Sequence, residues 1–103
     1  MGAIGMKATS ILTDSLGRAI RNRRRTLGLS QEELAWRCGL NRSYITDIER
    51  GARNPSLTTI GRVAAGLKIP VYELLRDAAM AQDKKLPERN RDRAQRVKGT
   101  PTR

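Results

Sequence analysis

Arg42, Ser43, Thr46, Asp47 and Arg50 lie within a single run of nine residues. At about 100° per residue on a helix they share one arc, and Tyr44, Ile45 and Ile48 fall on the other side. The arc holds no large apolar side chain, and its donors and acceptors are concentrated at the N-terminal end. Guanidinium forks, hydroxyls and a carboxylate in that arrangement suit recognition of base edges and phosphate oxygens, the work of a helix set into a DNA major groove. Catalysis is a poor fit. Asp47 and Glu49 are two residues apart on a helix and do not face one another, so they are no acid–base pair. The chain has no histidine and a single cysteine, which leaves no metal-ligand set, and no glycine-rich phosphate loop. Neither enzymatic activity nor any metal or cofactor is expected.

The elements that must position this arc can be read from their punctuation. Ser30 with Glu33 three positions later is a capping box, so a helix starts at Gln31. Leu34, Ala35 and Cys38 give it one buried face, and Gly39 stands where the C′ residue enters the left-handed region. Leu40 returns to the core, Asn41 caps a second helix, and Ile45 and Ile48 form that helix's apolar stripe. Two helices joined by a three-residue turn are a helix-turn-helix. Ala35 and Gly39 are expected where the two helices approach most closely. Trp36, about 200° from Leu34, is expected to be largely exposed, and to pack on the first helix, cover the arm or mark a protein contact, the first being favoured.

Flanking helices complete the pattern. Asp14 is read as the cap of a first helix with Leu16, Ile20, Arg24 and Leu27 on one face and Gly28 ending it. Arg21, Arg23 and Arg25 form a solvated face, with Arg23 the best phosphate candidate among them. Ser56 caps a fourth helix with Leu57, Ile60, Val63, Ala64 and Leu67 on its core face, leaving through Gly66 and Leu67. A fifth helix opens at Ile69 and Pro70, with Val71, Leu74 and Leu75 apolar.

The charge balance points to a polyanion. The net charge is +11 over 103 residues. Residues 15–83 carry twelve basic and seven acidic groups, and residues 84–103 carry eight and two. Both segments are therefore basic, the tail more densely so. Residues 1–13 are read as a flexible arm, 14–83 as the one folded domain and 84–103 as a basic disordered tail. With no phenylalanine, one tryptophan and two tyrosines, the core must be aliphatic. One cysteine cannot form an internal disulfide, and no signal peptide or membrane-spanning run is seen, so a cytoplasmic protein without membrane contact is expected.

From about Leu16 to Leu75 the chain resembles the phage Cro/repressor-type helix-turn-helix family, the xenobiotic-response-element class of bacterial regulators. The residues that carry the resemblance are Leu29-Ser30-Gln31-Glu32-Glu33-Leu34-Ala35, Gly39, Arg42-Ser43-Tyr44-Ile45, Ile48-Glu49-Arg50-Gly51 and Asn54-Pro55-Ser56-Leu57. Within it, Asn41 to Ile45 looks most like the controller proteins of restriction–modification systems. The resemblance implies an all-α, compact five-helix, lambda-repressor-like fold. It also implies an ion pair between Arg24 and Glu49 and a dimer through the fifth helix, with Val71, Tyr72 and Leu75 as interface candidates and Ala78 and Ala79 beside them. The family usually has a capping Ser or Thr where Pro70 stands.

The function expected is sequence-specific binding of double-stranded DNA by a transcriptional regulator, as a homodimer on a partly palindromic operator in a bacterial or phage nucleoid setting. Arg42, Ser43, Thr46 and Asp47 are the base-reading candidates, and Asp47 either accepts from a cytosine amine or orients Arg42 or Arg50. Gln31, Tyr44, Arg50, Arg53, Asn54 and Arg23 are the phosphate candidates. The competing expectation is a protein partner, either the transcription machinery or a toxin that this chain binds as an antitoxin while regulating its own operon.

Overall fold

The computed structural model describes the backbone of residues 2–83 and the side chains of residues 11–83. Five helices make up the described chain: α1 (Gly2–Thr26), α2 (Gln31–Cys38), α3 (Arg42–Glu49), α4 (Leu57–Gly66) and α5 (Val71–Asp83). α1 lies along α5 and crosses α3, while α2 packs on both α3 and α4. This is the all-α, lambda-repressor-type arrangement. The expected basic tail, 84–103, lies outside the described residues.

Local chemistry sets most boundaries. Ser30 Oγ accepts from the Glu33 N–H at 3.0 Å and Glu33 Oε1 accepts from the Ser30 N–H at 2.8 Å, closing the capping box. Asn41 Oδ1 accepts from the Tyr44 N–H at 2.9 Å and Ser56 Oγ from the Thr59 N–H at 3.1 Å. Gly39 adopts φ 70°, ψ 31°, and the Leu40 N–H reaches back to the Ala35 carbonyl at 2.9 Å. That left-handed turn, with its long back-bond, ends α2 and aims α3. The N–H groups of Glu73 and Leu74 both meet the Pro70 carbonyl, so α5 begins at Val71 without a side-chain cap from Pro70.

The core is aliphatic. Ile20, Leu34, Ile45, Ile48, Val63, Leu67 and Leu74 are essentially inaccessible, and Leu16, Ala35, Cys38 and Ala64 fill between them. Burial pushes the Cys38 thiol up from its ordinary value, with Arg62 acting in the opposite sense, so it behaves as a small apolar group. Gly17 of α1 lies against the Ile48 and Glu49 carbonyls, and an added Cβ would sit 2.6 Å from the Glu49 oxygen. Gly66 is similarly confined, with a Cβ there 2.7 Å from Cys38 Sγ.

Several expectations are corrected. α1 starts at Gly2, so residues 2–13 continue the helix in place of an arm and Asp14 lies inside it. The segment has no proline to stop a helix, and the extension carries Leu12 to a groove shared with Leu75 and Ala78. A Cβ added at Gly39 would meet Arg62 of α4 and no side chain of α3. The space beside its Cα belongs to the Arg62 guanidinium, which donates to the Gly39 carbonyl at 3.0 Å. Leu57 is 69% exposed despite its place on the α4 stripe, because the first turn projects past the edge of the core. Trp36 is 83% exposed, so little of its side chain packs against any helix. Ala78 is 1% exposed and belongs to the core at the floor of the Leu12 groove.

Among the described residues no helix is long and apolar enough to cross a membrane, and no group of His, Cys, Asp or Glu is placed to hold a metal ion.

Candidate nucleic-acid interface

The Asn41 cap and the buried Ile45 and Ile48 fix the rotation of α3 about its axis. The opposite arc is consequently presented outward, where Arg42, Ser43, Thr46, Asp47 and Arg50 line a shallow open pocket with Gln31 from the start of α2. Arg42 and Ser43 are exposed, while Thr46 and Asp47 are half-buried.

Asp47 organises the arginines at the C-terminal end of this face. Its Oδ1 lies 3.0 Å from Arg50 Nη2, and its Oδ2 lies 3.5 Å from Arg53 Nε. The Arg53 guanidinium also sits 5.1 Å from the centre of the Tyr44 ring, a cation–π contact. One carboxylate thus gathers two guanidinium groups that would otherwise repel. Arg42 has no ion-pair partner among the described residues.

Beneath the face lies a buried polar network. Arg24 meets Glu49 through Nε–Oε2 at 2.6 Å and Nη2–Oε1 at 3.0 Å, and donates through Nη1 to the Leu29 carbonyl at 2.8 Å. The hydrogen bonds to Glu49 hold Arg24 above its ordinary pKa, against the opposing effect of burial. Gln31 Nε2 donates to Glu49 Oε1 at 3.0 Å, and Thr46 Oγ1 lies 3.0 Å from Gln31 Oε1.

The structure does not gather all the sequence candidates. Arg23 Nε donates to the Leu67 carbonyl at 3.3 Å, which turns this side chain to the end of α4 and away from the α3 face. Arg37 does the same at the Gly66 carbonyl, at 3.5 Å, so part of the positive charge serves helix C-termini. Asn54 is exposed but borders the groove of Leu12, Leu16, Ile60 and Leu75. Gln31 has most of its amide committed inward to Glu49 and Thr46 and keeps one N–H for any ligand. Sequence reasoning missed that commitment, and it missed Gly17, whose only signal was a glycine inside a helical pattern.

The helix-turn-helix family profile matches residues 20–74, more than half of the chain. The chain belongs to this family of DNA-binding regulators, and the family's members are not enzymes. Its domain is closely related to restriction–modification controller proteins. Control protein C.BamHI of Bacillus amyloliquefaciens is 49% identical over 47 residues, 46% of this chain and 58% of that protein. The crystal structure of the restriction-modification controller protein C.AhdI from Aeromonas hydrophila is 45% identical with a TM-score of 0.59, covering 60% of this chain and 94% of that one. That of the controller protein C.Esp1396I, a tetramer in complex with its natural 35 base-pair operator, is 27% identical with a TM-score of 0.65 over 69% of this chain and 93% of that one. The chain spans 58% of C.BamHI and 45% and 48% of two further curated relatives, about half their length.

Proposed function

We propose that the protein is a sequence-specific, double-stranded DNA-binding transcriptional regulator of controller or repressor type, acting as a homodimer on a partly palindromic operator. The observation that carries this reading is Arg42, exposed at the first position of α3 without an ion-pair partner among the described residues, beside two arginines that Asp47 tethers. An untethered guanidinium at the N-terminal end of a recognition helix matches guanine O6 and N7. Ser43 and Thr46 add hydroxyls to that readout. Asp47 acts through Arg50 and Arg53, which grip phosphates together with the Tyr44 hydroxyl and Asn54.

The homodimer is supported by α5, where Tyr72 is 71% exposed and Leu75 38% exposed beside the half-buried Val71. The tetramer of C.Esp1396I on its operator supports binding of more than one copy per site. A single domain of this size grips one half-site weakly, and two-fold pairing over half-sites roughly 34 Å apart supplies the rest.

The test is selection of binding sites from random duplex DNA with the purified protein at about 0.15 M salt, where the non-specific attraction of a basic chain is partly screened. A two-fold motif with half-sites about ten base pairs apart is expected. Absence of any enriched motif overturns the reading.

Trp36 favours a second reading. A tryptophan 83% exposed on the outer side of α2 suits a protein partner, either the transcription machinery or a toxin held by an antitoxin of this fold. Co-purification with a small protein encoded next door distinguishes it.

A further inference from the structure

The network beneath α3 fixes the polarity of one group on the recognition face. The Glu49 side chain is 3% exposed and its carboxylate is gripped by Arg24, and a carboxylate in an ion pair only accepts. Gln31 meets Glu49 Oε1 at 3.0 Å, and only the amide nitrogen can make that bond. The amide oxygen must therefore face the other way, where Thr46 Oγ1 lies 3.0 Å from it. An amide oxygen only accepts, so the Thr46 hydroxyl must donate. That hydroxyl has one hydrogen, and it points inward. What remains on the outer side of Thr46 Oγ1 is a lone pair.

We propose that Thr46 is a specificity-determining residue that acts only as an acceptor, and that Gln31 is the residue that positions it. The operator position facing Thr46 then carries adenine or cytosine on the contacted strand. Adenine N6 and cytosine N4 bring an amine donor to the major groove, whereas guanine O6 and thymine O4 bring an acceptor that would face an acceptor. The proposal rests on the DNA-binding reading above and changes the role of Gln31. Its amide serves chiefly to transmit the direction of the buried Arg24–Glu49 pair to the surface, and phosphate contact is secondary.

Three proteins test this: the wild type, Gln31→Met and Thr46→Val, each carried through site selection and then titrated against single-base variants of the selected duplex at constant salt. In the wild type, one position per half-site is enriched in adenine or cytosine, and guanine or thymine there weakens binding roughly three- to tenfold. Thr46→Val keeps the shape, removes the lone pair and flattens that position. Gln31→Met keeps the length but removes the amide, which frees the Thr46 hydroxyl to turn outward and donate. The same position then tolerates all four bases, while preference at the guanine read by Arg42 is retained. Thr46→Val leaves the ion pair intact and carries the test alone should Gln31→Met fail to fold in a thermal melt. A Gln31→Met protein that binds every sequence more weakly by one common factor is a lost phosphate clamp, and overturns the proposal. So does a Thr46→Val motif identical to that of the wild type. A wild type that selects no motif overturns the underlying reading of sequence-specific binding, and the proposal with it.

Discussion

Arg24 grips Glu49 with two prongs, Nε to Oε2 at 2.6 Å and Nη2 to Oε1 at 3.0 Å, and so ties α1 to the recognition helix. Both side chains are largely buried, at 11% and 3% exposure. Removing one partner leaves a buried charge uncompensated, a far larger penalty than losing a surface pair. Glu49→Ala is expected to cost about 3–5 kcal/mol in denaturant unfolding. A loss below about 1 kcal/mol would mean that water or a neighbour satisfies Arg24 once Glu49 is gone.

Two helical glycines should respond to alanine with opposite signs. At Gly61 an added Cβ would meet nothing nearer than Val71 Cγ2 at 3.9 Å, so the gain in helix propensity stands alone. Gly61→Ala is expected to stabilise by about 0.5–1 kcal/mol. At Gly17 the Cβ would sit 2.6 Å from the Glu49 carbonyl oxygen, a backbone atom that cannot swing aside. Gly17→Ala must lift α1 off α3, and a net loss of about 1–3 kcal/mol is expected. Thermal melts of the two variants decide the matter by sign, and a stabilised Gly17→Ala would show that the helices slide apart freely.

The capping box carries a pH signature. The Ser30 N–H, and after it the Ser30 hydroxyl, hold the Glu33 carboxyl below its ordinary range. A depressed folded-state pKa gives a contribution present above the unfolded value, about 4.3, and lost as pH falls through the folded value. The melting temperature of wild type should therefore exceed that of Glu33→Ala at neutral pH, and the gap should shrink below about pH 4. A gap of the same size at pH 7 and at pH 3 would assign it to something other than the ionised carboxylate.

The contrast between residues that could and could not be placed from sequence is one of range. Ser30 with Glu33, Asn41 with Tyr44 and Ser56 with Thr59 each act across three positions, and their chemistry is written in adjacent letters. The helical wheel resolves angle but not distance along an axis. It put Leu57 on the same side of α4 as Ala64, and could not say that the core stops short of the first turn. Gln31 bonds to residues 15 and 18 positions away, and nothing in its own neighbourhood announces this. Arg24 looked anomalous on an apolar stripe, yet its partner came from resemblance and not from spacing. Arg23 was an arginine among arginines until the end of α4 was seen beside it.

The exposed arginines divide by what holds them, and binding measurements should divide them the same way. Arg42 stands untethered at the start of α3, where losing it should cost about 1–3 kcal/mol on the selected site and relax one position of the motif. Arg53 is tethered to Asp47 at 3.5 Å and stacked on Tyr44 at 5.1 Å, which spends its fork on orientation and leaves its charge for a phosphate. Arg53→Ala should weaken all sequences alike and lower the salt slope of log K by about 1, the signature of one lost phosphate contact. Arg42→Ala should leave the affinity for unrelated DNA nearly unchanged. Titrations of both variants against the selected duplex and a scrambled one, over a range of salt, separate the roles. If Arg42→Ala lowered affinity for both duplexes equally and left the selected motif intact, Arg42 would be a phosphate contact and the base reader would have to be sought among Ser43 and Thr46.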